Sequence, residues 1–244
     1  MAGYIFNDKR TYDIFIKTEN ILRKKIFPIM NKFENDEIDF WIDICKRYLD
    51  KGDALVEMGV GSGRILCALS KRFNVYGFDN DRFFIRYCRK RKLKVFYADA
   101  TKKVSKNNKG RYKIAGISFN TLFNFPKEAR LKWVAHAFDL LKDQGFLIIT
   151  CYSYSGPSIK TISDRIKFYE NVLDPPKNTR VEFYSNKERG IRLCDITGKE
   201  YFFSRWCTKS ELLNEIKSWK NFRIVILKLL ECKIGWKILL KKTV

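Results

Sequence analysis

Apolar residues change period several times along the chain, and the changes mark its elements. Ile38, Trp41, Ile42, Cys45 and Leu49 recur at helical spacing and predict a helix over Glu37–Leu49; Ile14–Ile26 reads as another, with Pro28 between them. Short apolar runs then alternate with helix-period segments. Ala54–Met58, Val75–Asp79, Val95–Asp99, Lys113–Phe119 and Phe146–Cys151 read as strands. Gly63–Arg72, Asp81–Arg91 and Lys127–Leu141 read as helices, the last with its core stripe on Leu131, Val134, Phe138 and Leu141. Asn80 or Asp81 is suited to cap the helix over 81–91. Lys102–Gly110 reads as a loop or a poor helix, and Asp143-Gln144-Gly145 as a turn. Near-continuous apolar strands separated by helices predict a parallel sheet covered on both faces.

The pattern breaks over 152–206. Pro157, Pro175 and Pro176 punctuate it, and Arg180–Ser185, Ile191–Ile196 and Tyr201–Trp206 read as an antiparallel meander. Lys209–Trp219 is helical again, with Thr208 or Ser210 near its cap. Phe222–Leu230 and Gly235–Lys242 read as a terminal antiparallel hairpin. The organisation predicted is a helical cap over 1–50, an α/β core from 51–153 and 207–244, and an insertion over 154–206. That insertion is expected to be a substrate lid or a homodimer contact.

One stretch narrows the chemistry. Ala54–Leu66 is an apolar run ending in Glu57, then Gly59, Gly61 and Gly63 at alternate positions, then a helix-period segment. Glycines let such a turn take strained dihedrals and let a ligand lie on bare backbone. The spacing is G-x-G-x-G, not the G-x-G-x-x-G of dinucleotide sites. An acid at the strand's end would repel a pyrophosphate but suits a ligand with an amino group and a sulfonium. A purely structural turn is the alternative. Asp79 ends the second strand about twenty residues on, where an acid accepts ribose hydroxyls; capping of the next helix is its bland role.

These residues resemble motif I and its companions in the class I S-adenosylmethionine (SAM) methyltransferases. The likeness also covers Phe33–Phe40, the post-strand segment Gly116–Asn124, and Leu141–Ile148. The fold it implies is α/β: a seven-stranded, mostly parallel sheet whose last strand inserts antiparallel beside the fifth, with N-terminal helices and a small antiparallel β insertion. It implies SAM as cofactor, S-adenosyl-L-homocysteine as product and no metal. The cofactor residues it implies are Glu57, Gly59, Val60, Gly61, Gly63, Arg64, Asp79, Asn80, Asp99, Ala100 and Asn120. Glu57 would meet the methionyl amino group through the loop backbone or water, Arg64 would lie near the ligand carboxylate, and Asp99-Ala100 would hold the adenine amino group. Asn120 would sit over the methyl-transfer site. Asn120 and Tyr12 are the candidate catalytic residues; Tyr4, Tyr12, Tyr152, Tyr154 and Arg205, beside Trp206, are candidates to position substrate.

Some chemistries are disfavoured. The Asp/Asn-Pro-Pro-aromatic motif of base and glutamine amino-methylases is missing after the fourth strand, where Asn120-Thr121-Leu122 stands. Asp174-Pro175-Pro176 lies past the fifth strand and reads as a loop. No cysteine is near enough to that loop to serve as a cytosine-C5 nucleophile. His136, the only histidine, falls opposite the predicted stripe on the solvent face, away from any reacting proton. No Asp/Glu/His cluster has metal-ligand spacing.

Composition adds a partner question. The formal net charge is +22. It fits either a polyanion footprint or a lysine-rich solvated surface. Basic residues are spread along the chain and Lys outnumbers Arg by about two to one, whereas nucleic-acid surfaces cluster them and favour Arg. Seven scattered cysteines without a C-x-x-C pair suggest reduced thiols in the cytoplasm. The start lacks an apolar signal region, and Phe222–Leu240 carries too many charges to span a membrane. The expected activity is methyl transfer to a small molecule or peptide. An RNA methyltransferase and a non-catalytic SAM- or RNA-binding module are the alternatives.

Overall fold

The computed structural model describes residues 28–155, 179–184, 189–195 and 200–243. Its elements run α1 (Pro28–Tyr48), β1 (Leu55–Met58), α2 (Arg64–Leu69), β2 (Val75–Asp79), α3 (Arg82–Lys90), β3 (Val95–Tyr97), β4 (Tyr112–Ile117), α4 (Lys127–Leu140) and β5 (Leu141–Tyr152). Then come β6 (Thr179–Tyr184), β7 (Gly190–Asp195), β8 (Glu200–Arg205), α5 (Lys209–Lys217), β9 (Phe222–Leu229) and β10 (Gly235–Lys242). The predicted helix over Ile14–Ile26, and Tyr4 and Tyr12, lie outside the described residues.

Seven strands form one sheet in the order β3-β2-β1-β4-β5-β10-β9. The five strands from β1 to β5 are parallel; β10 runs antiparallel between β5 and β9. This is the mostly parallel, hairpin-closed sheet that the sequence pattern predicts. β6, β7 and β8 form a separate antiparallel sheet, each strand starting one residue before its predicted place.

Alternation along the strands sorts the core onto two faces. Leu55, Ile114 and Ile148 pack with Phe33, Trp41 and Ile44 of α1 and with Ile65 and Leu66 of α2. Val56, Met58, Ile117 and Ile149 pack with Trp133, Val134 and Ala137 of α4 and with Leu212 and Ile216 of α5. One position is fixed by bare backbone. Gly116 is the register partner of Glu57, and a Cβ there would lie 2.0 Å from the Trp41 ring. The missing side chain lets α1 lie close on the sheet.

Two expectations are corrected. The buried stripe of α4 is Arg130, Trp133, Val134, His136, Ala137 and Leu140; Leu131 is exposed. Arg130 is fully buried because it binds Glu215 of α5, so a core stripe sought among apolar residues alone is set one position off. His136 is therefore buried, not on the solvent face. Its ring packs on Phe78, and Nδ1 lies 2.7 Å from the Lys102 carbonyl oxygen. A carbonyl only accepts, so Nδ1 carries the proton. Burial holds the imidazole below its ordinary pKa.

The predicted turn Asp143–Gly145 is a bulge inside β5. Tyr112 pairs Leu141, and the ladder resumes with Ile114 opposite Phe146. Gln144 takes φ 58° to close it. Lys102–Gly110 contains a single 3-10 turn, Lys106–Asn108.

Candidate functional site

The chain builds the sheet outward from β1 to β2 and β3, then crosses to β4. The strand order therefore reverses between β1 and β4, where open α/β sheets bind ligands at the carboxyl ends of the strands. Glu57 and Ser118 stand on either side of this crevice. Ser118 Oγ donates to Glu57 Oε1 at 2.6 Å. Glu57 is buried, and its other oxygen, Oε2, has no partner among the described residues. Burial raises its pKa to about 8; Ser118 and Arg64 pull it down, Glu37 and Asp79 push it up. An unpartnered buried carboxylate oxygen is costly and invites a cationic N–H donor.

The three glycines differ in what surrounds them. A Cβ at Gly59 would touch Thr121 and Trp133, both 3.0 Å away. At Gly63 it would meet Leu93 at 2.7 Å and Cys88 Sγ at 2.8 Å. At Gly61 nothing lies within 4 Å. Gly59 and Gly63 thus let helices pack against the turn, while Gly61 faces open space. All three take positive φ. Val60 N donates to the Phe78 carbonyl, tying the turn to β2.

Asp79 closes the turn from the β2 side. Its Oδ2 accepts from Gly61 N at 3.0 Å and its Oδ1 from Asp81 N at 2.9 Å. Burial lifts its pKa to about 6 against the pull of these amides. Asp81 caps α3 by accepting from Phe83 N, so Asp79 is not needed as the cap, and Asn80 is exposed. Asp99 accepts from the Thr101 amide and hydroxyl, and Ala100 is buried behind it.

Glu37 of α1 is the functional residue that sequence reasoning missed. It is fully buried and accepts from Phe119 N at 2.8 Å, from the Thr150 hydroxyl and from the Arg64 guanidinium. Arg64 also donates to the Glu34 carbonyl and lies over the Phe119 ring. Burial works against its charge, but Glu37 and Glu34 hold it above its ordinary pKa. Arg64 is thus bound to α1. The sequence signal was Glu37's place in the Phe33–Phe40 segment, without any mark of burial.

Phe119 and Asn120 take φ 51° and 63° in succession. Two adjacent non-glycine residues in this region store strain, a common property of ligand sites. Asn120 is fully buried; its Nδ2 donates to Ser204 Oγ and Asn124 Oδ1, and its Oδ1 accepts from Tyr152 N. The side chain locks β4, β5 and β8 together. Tyr152 packs on Phe33, Phe119 and Trp206. Tyr154 lies under the Arg189 guanidinium. Arg205 is buried in an ion pair with Glu215, which also binds Arg130. The structure thus brings Glu57, Gly61, Asp79, Arg64 and Asn120 to one end of the sheet, with Arg205 bound into the α5 interface.

Solved structures of similar fold include SAM-dependent methyltransferases. A SAM-dependent methyltransferase from Clostridium acetobutylicum superposes with a TM-score of 0.61 at 14% identity, over 96% of this chain and 99% of that one. The chain has the class I SAM-dependent methyltransferase fold. A glycopeptide N-methyltransferase complexed with S-adenosyl-L-homocysteine matches with a TM-score of 0.57 at 10% identity, over 85% of this chain and 89% of that one. The 1,6-didemethyltoxoflavin-N1-methyltransferase of Burkholderia thailandensis, with its acceptor and S-adenosylhomocysteine bound, matches with a TM-score of 0.55 at 12% identity, over 96% and 87%. At these identities the likeness is one of fold. No protein-family model matches the chain, and no curated protein matches it either. Among the described residues no group of His, Cys, Asp and Glu is placed to hold a metal ion, and no helix is long and apolar enough to cross a membrane.

Proposed function

We propose that the protein is a SAM-dependent methyltransferase that methylates a small-molecule or peptide acceptor. The observation that carries the reading is Glu57: a buried carboxylate at the strand-order reversal, one oxygen fixed by Ser118 and the other without a partner among the described residues. The open space over Gly61 fits a ligand lying on the turn, and Asp79 retains lone pairs for hydroxyl donors beyond its two amides.

SAM supplies a methyl group on a sulfonium, an electrophile strong enough for in-line displacement without a metal. The chain's residues then have three tasks. Glu57 Oε2 accepts from the amino group and neutralises it. Asp79, with the Gly61 turn, orients the ribose. Phe119, half-buried and strained beside the Tyr152 ring, which packs in turn on Trp206, shields the transfer zone from water. Positioning and exclusion of water of this kind can supply most of the acceleration such a reaction requires. The free cysteines (Cys45, Cys67, Cys88, Cys151, Cys207, Cys232) support a reducing compartment such as the cytoplasm.

Calorimetry with SAM and S-adenosylhomocysteine tests the cofactor, and labelled-methyl transfer from SAM into fractionated cell extract tests the acceptor. Absence of binding to folded protein at millimolar ligand would end the reading. Tight binding without transfer to any fraction would identify a non-catalytic SAM-binding module.

A further inference from the structure

The positive charge is less evenly spread than composition suggests. Between Arg82 and Lys94 the chain carries Arg82, Arg86, Arg89, Lys90, Arg91, Lys92 and Lys94, and no acid. Four of these seven are Arg, against about one in three for the chain's basic residues. Within α3, Arg82, Arg86, Arg89 and Lys90 fall at i, i+4, i+7 and i+8, and all four are exposed. They form one stripe on the solvent side while Ile85 and Cys88 face the core.

Among the described residues none of the seven forms a salt bridge. Elsewhere some lysines meet carboxylates, as Lys109 does with Asp139 and Lys142 with Asp53, while other exposed ones, such as Lys71, Lys103 and Lys127, are in no ion pair among the described residues. Here the contacts are to carbonyls and rings. Arg89 donates to the Val95 carbonyl, and Arg91 donates to the Ser62 carbonyl in the glycine turn. Arg82 lies 5.1 Å from the Tyr97 ring centre. Tyr97, at the end of edge strand β3, is 54% exposed. On the neighbouring helical positions Phe83 and Tyr87 stack at an 8° interplanar angle, and Arg91 lies over Tyr87.

We infer that this α3–β3 face binds single-stranded nucleic acid. Unpaired guanidinium groups in a row track phosphates, and flanking aromatic rings accept stacked bases. A solvated lysine surface would not favour Arg or run thirteen residues without an acid. An anionic membrane is the weaker fit, because Ile85 and Cys88 of α3 face the core and Phe83, Phe84 and Tyr87 are half-buried, which leaves no fully exposed apolar side chain on the helix to insert. The inference is independent of methyl transfer, and its test does not involve SAM.

The test is a fluorescence-anisotropy titration of a labelled oligouridylate against the full chain over a salt series. Two variants carry the same charge change: Arg82→Glu/Arg86→Glu/Lys90→Glu on the stripe, and Lys132→Glu/Lys209→Glu/Lys220→Glu on the exposed surface of α4, α5 and the turn before β9. Thermal melting establishes that both are folded. The stripe variant should lose at least ~10-fold in affinity at about 0.1 M salt and its log–log salt slope should flatten by about 2, while the other stays within about 2-fold of wild type. Tyr97→Ala should weaken binding by roughly 5-fold or more without changing the slope. Equal losses in both triple variants would overturn the inference, as would absence of oligouridylate binding, a duplex of the same length competing as well, or stronger retention on phosphatidylserine vesicles.

Discussion

Glu37 and Phe119 lie 82 residues apart in the chain, and the Phe119 amide donates to the Glu37 carboxylate at 2.8 Å. The bond fastens α1 to the strained turn after β4. The same carboxylate receives the Arg64 side chain from the glycine turn and the Thr150 hydroxyl from β5. One buried acid thus holds three of the segments that surround the crevice at the strand-order reversal.

Replacing it should be costly. Glu37→Ala leaves the Arg64 guanidinium without its carboxylate and removes an acceptor from the Phe119 amide, and losses of this kind run to about 3–5 kcal/mol. Glu37→Gln keeps an acceptor and should lose less. Urea unfolding measures both, and an unchanged midpoint in the alanine variant would show that the network does not hold the fold.

The glycine turn should separate packing from binding. Gly63→Ala puts a Cβ against Leu93 and Cys88 at less than 3 Å, in a left-handed conformation. It should destabilise the protein by about 2–3 kcal/mol. Gly61→Ala meets nothing within 4 Å and should cost only about 1 kcal/mol of backbone strain. Its methyl group occupies the space assigned to the cofactor, so SAM affinity should fall by at least ~10-fold, a loss of about 1.4 kcal/mol. Paired melting curves and SAM titrations should show these opposite orders. A Gly61→Ala protein that binds SAM normally would remove the ligand from that space.

The order of strands and the glycine turn were legible because their signals are local: period, breakers and one acid at a strand end. The closing hairpin was legible for the same reason. What was not legible depends on partners distant in sequence. Glu37 carries no mark of burial in the sequence until Thr150, 113 residues away, is placed against it. Arg130 reads as solvent-facing until Glu215 is placed 85 residues on, and with it the rotation of α4 and the burial of His136 were misjudged. The charge stripe of α3 was in plain view, but a chain-wide Lys excess masked its local Arg bias.

Glu215 should prove a structural acid. It accepts from Arg130 at 2.7 and 3.1 Å and from Arg205 at 2.6 Å, and both guanidinium groups lie over Phe123. Burial raises its pKa, but the two arginines outweigh burial and hold it below the ordinary value. A depressed acid contributes stability that is present above its unfolded pKa and is lost as pH falls through the folded one. Glu215→Gln should therefore destabilise the protein at pH 7 and flatten the acid limb of its stability curve below about pH 4.5. Chemical unfolding across pH 3–7 measures it, and parallel wild-type and variant curves would refute the assignment.

Glu57 should behave in the opposite sense. Its folded pKa is raised to about 8 by burial. The unfolded chain releases this proton near pH 4.5 while the folded, ligand-free protein keeps it, so stability should fall as pH rises from about 4.5 to about 8. Glu57→Gln carries no such proton and should escape this decline, gaining on the order of 2–4 kcal/mol relative to wild type between those limits. The same substitution should weaken SAM binding by at least ~10-fold, because a neutral amide replaces the oxygen that meets the amino group. Binding by the wild type should release a proton at pH 7, since a bound ammonium lowers the Glu57 pKa. Calorimetry in two buffers of different ionisation enthalpy reads that release directly. An apparent enthalpy independent of buffer would mean that Glu57 is already ionised in the free protein or does not meet the ligand, and normal SAM affinity in Glu57→Gln would decide for the second.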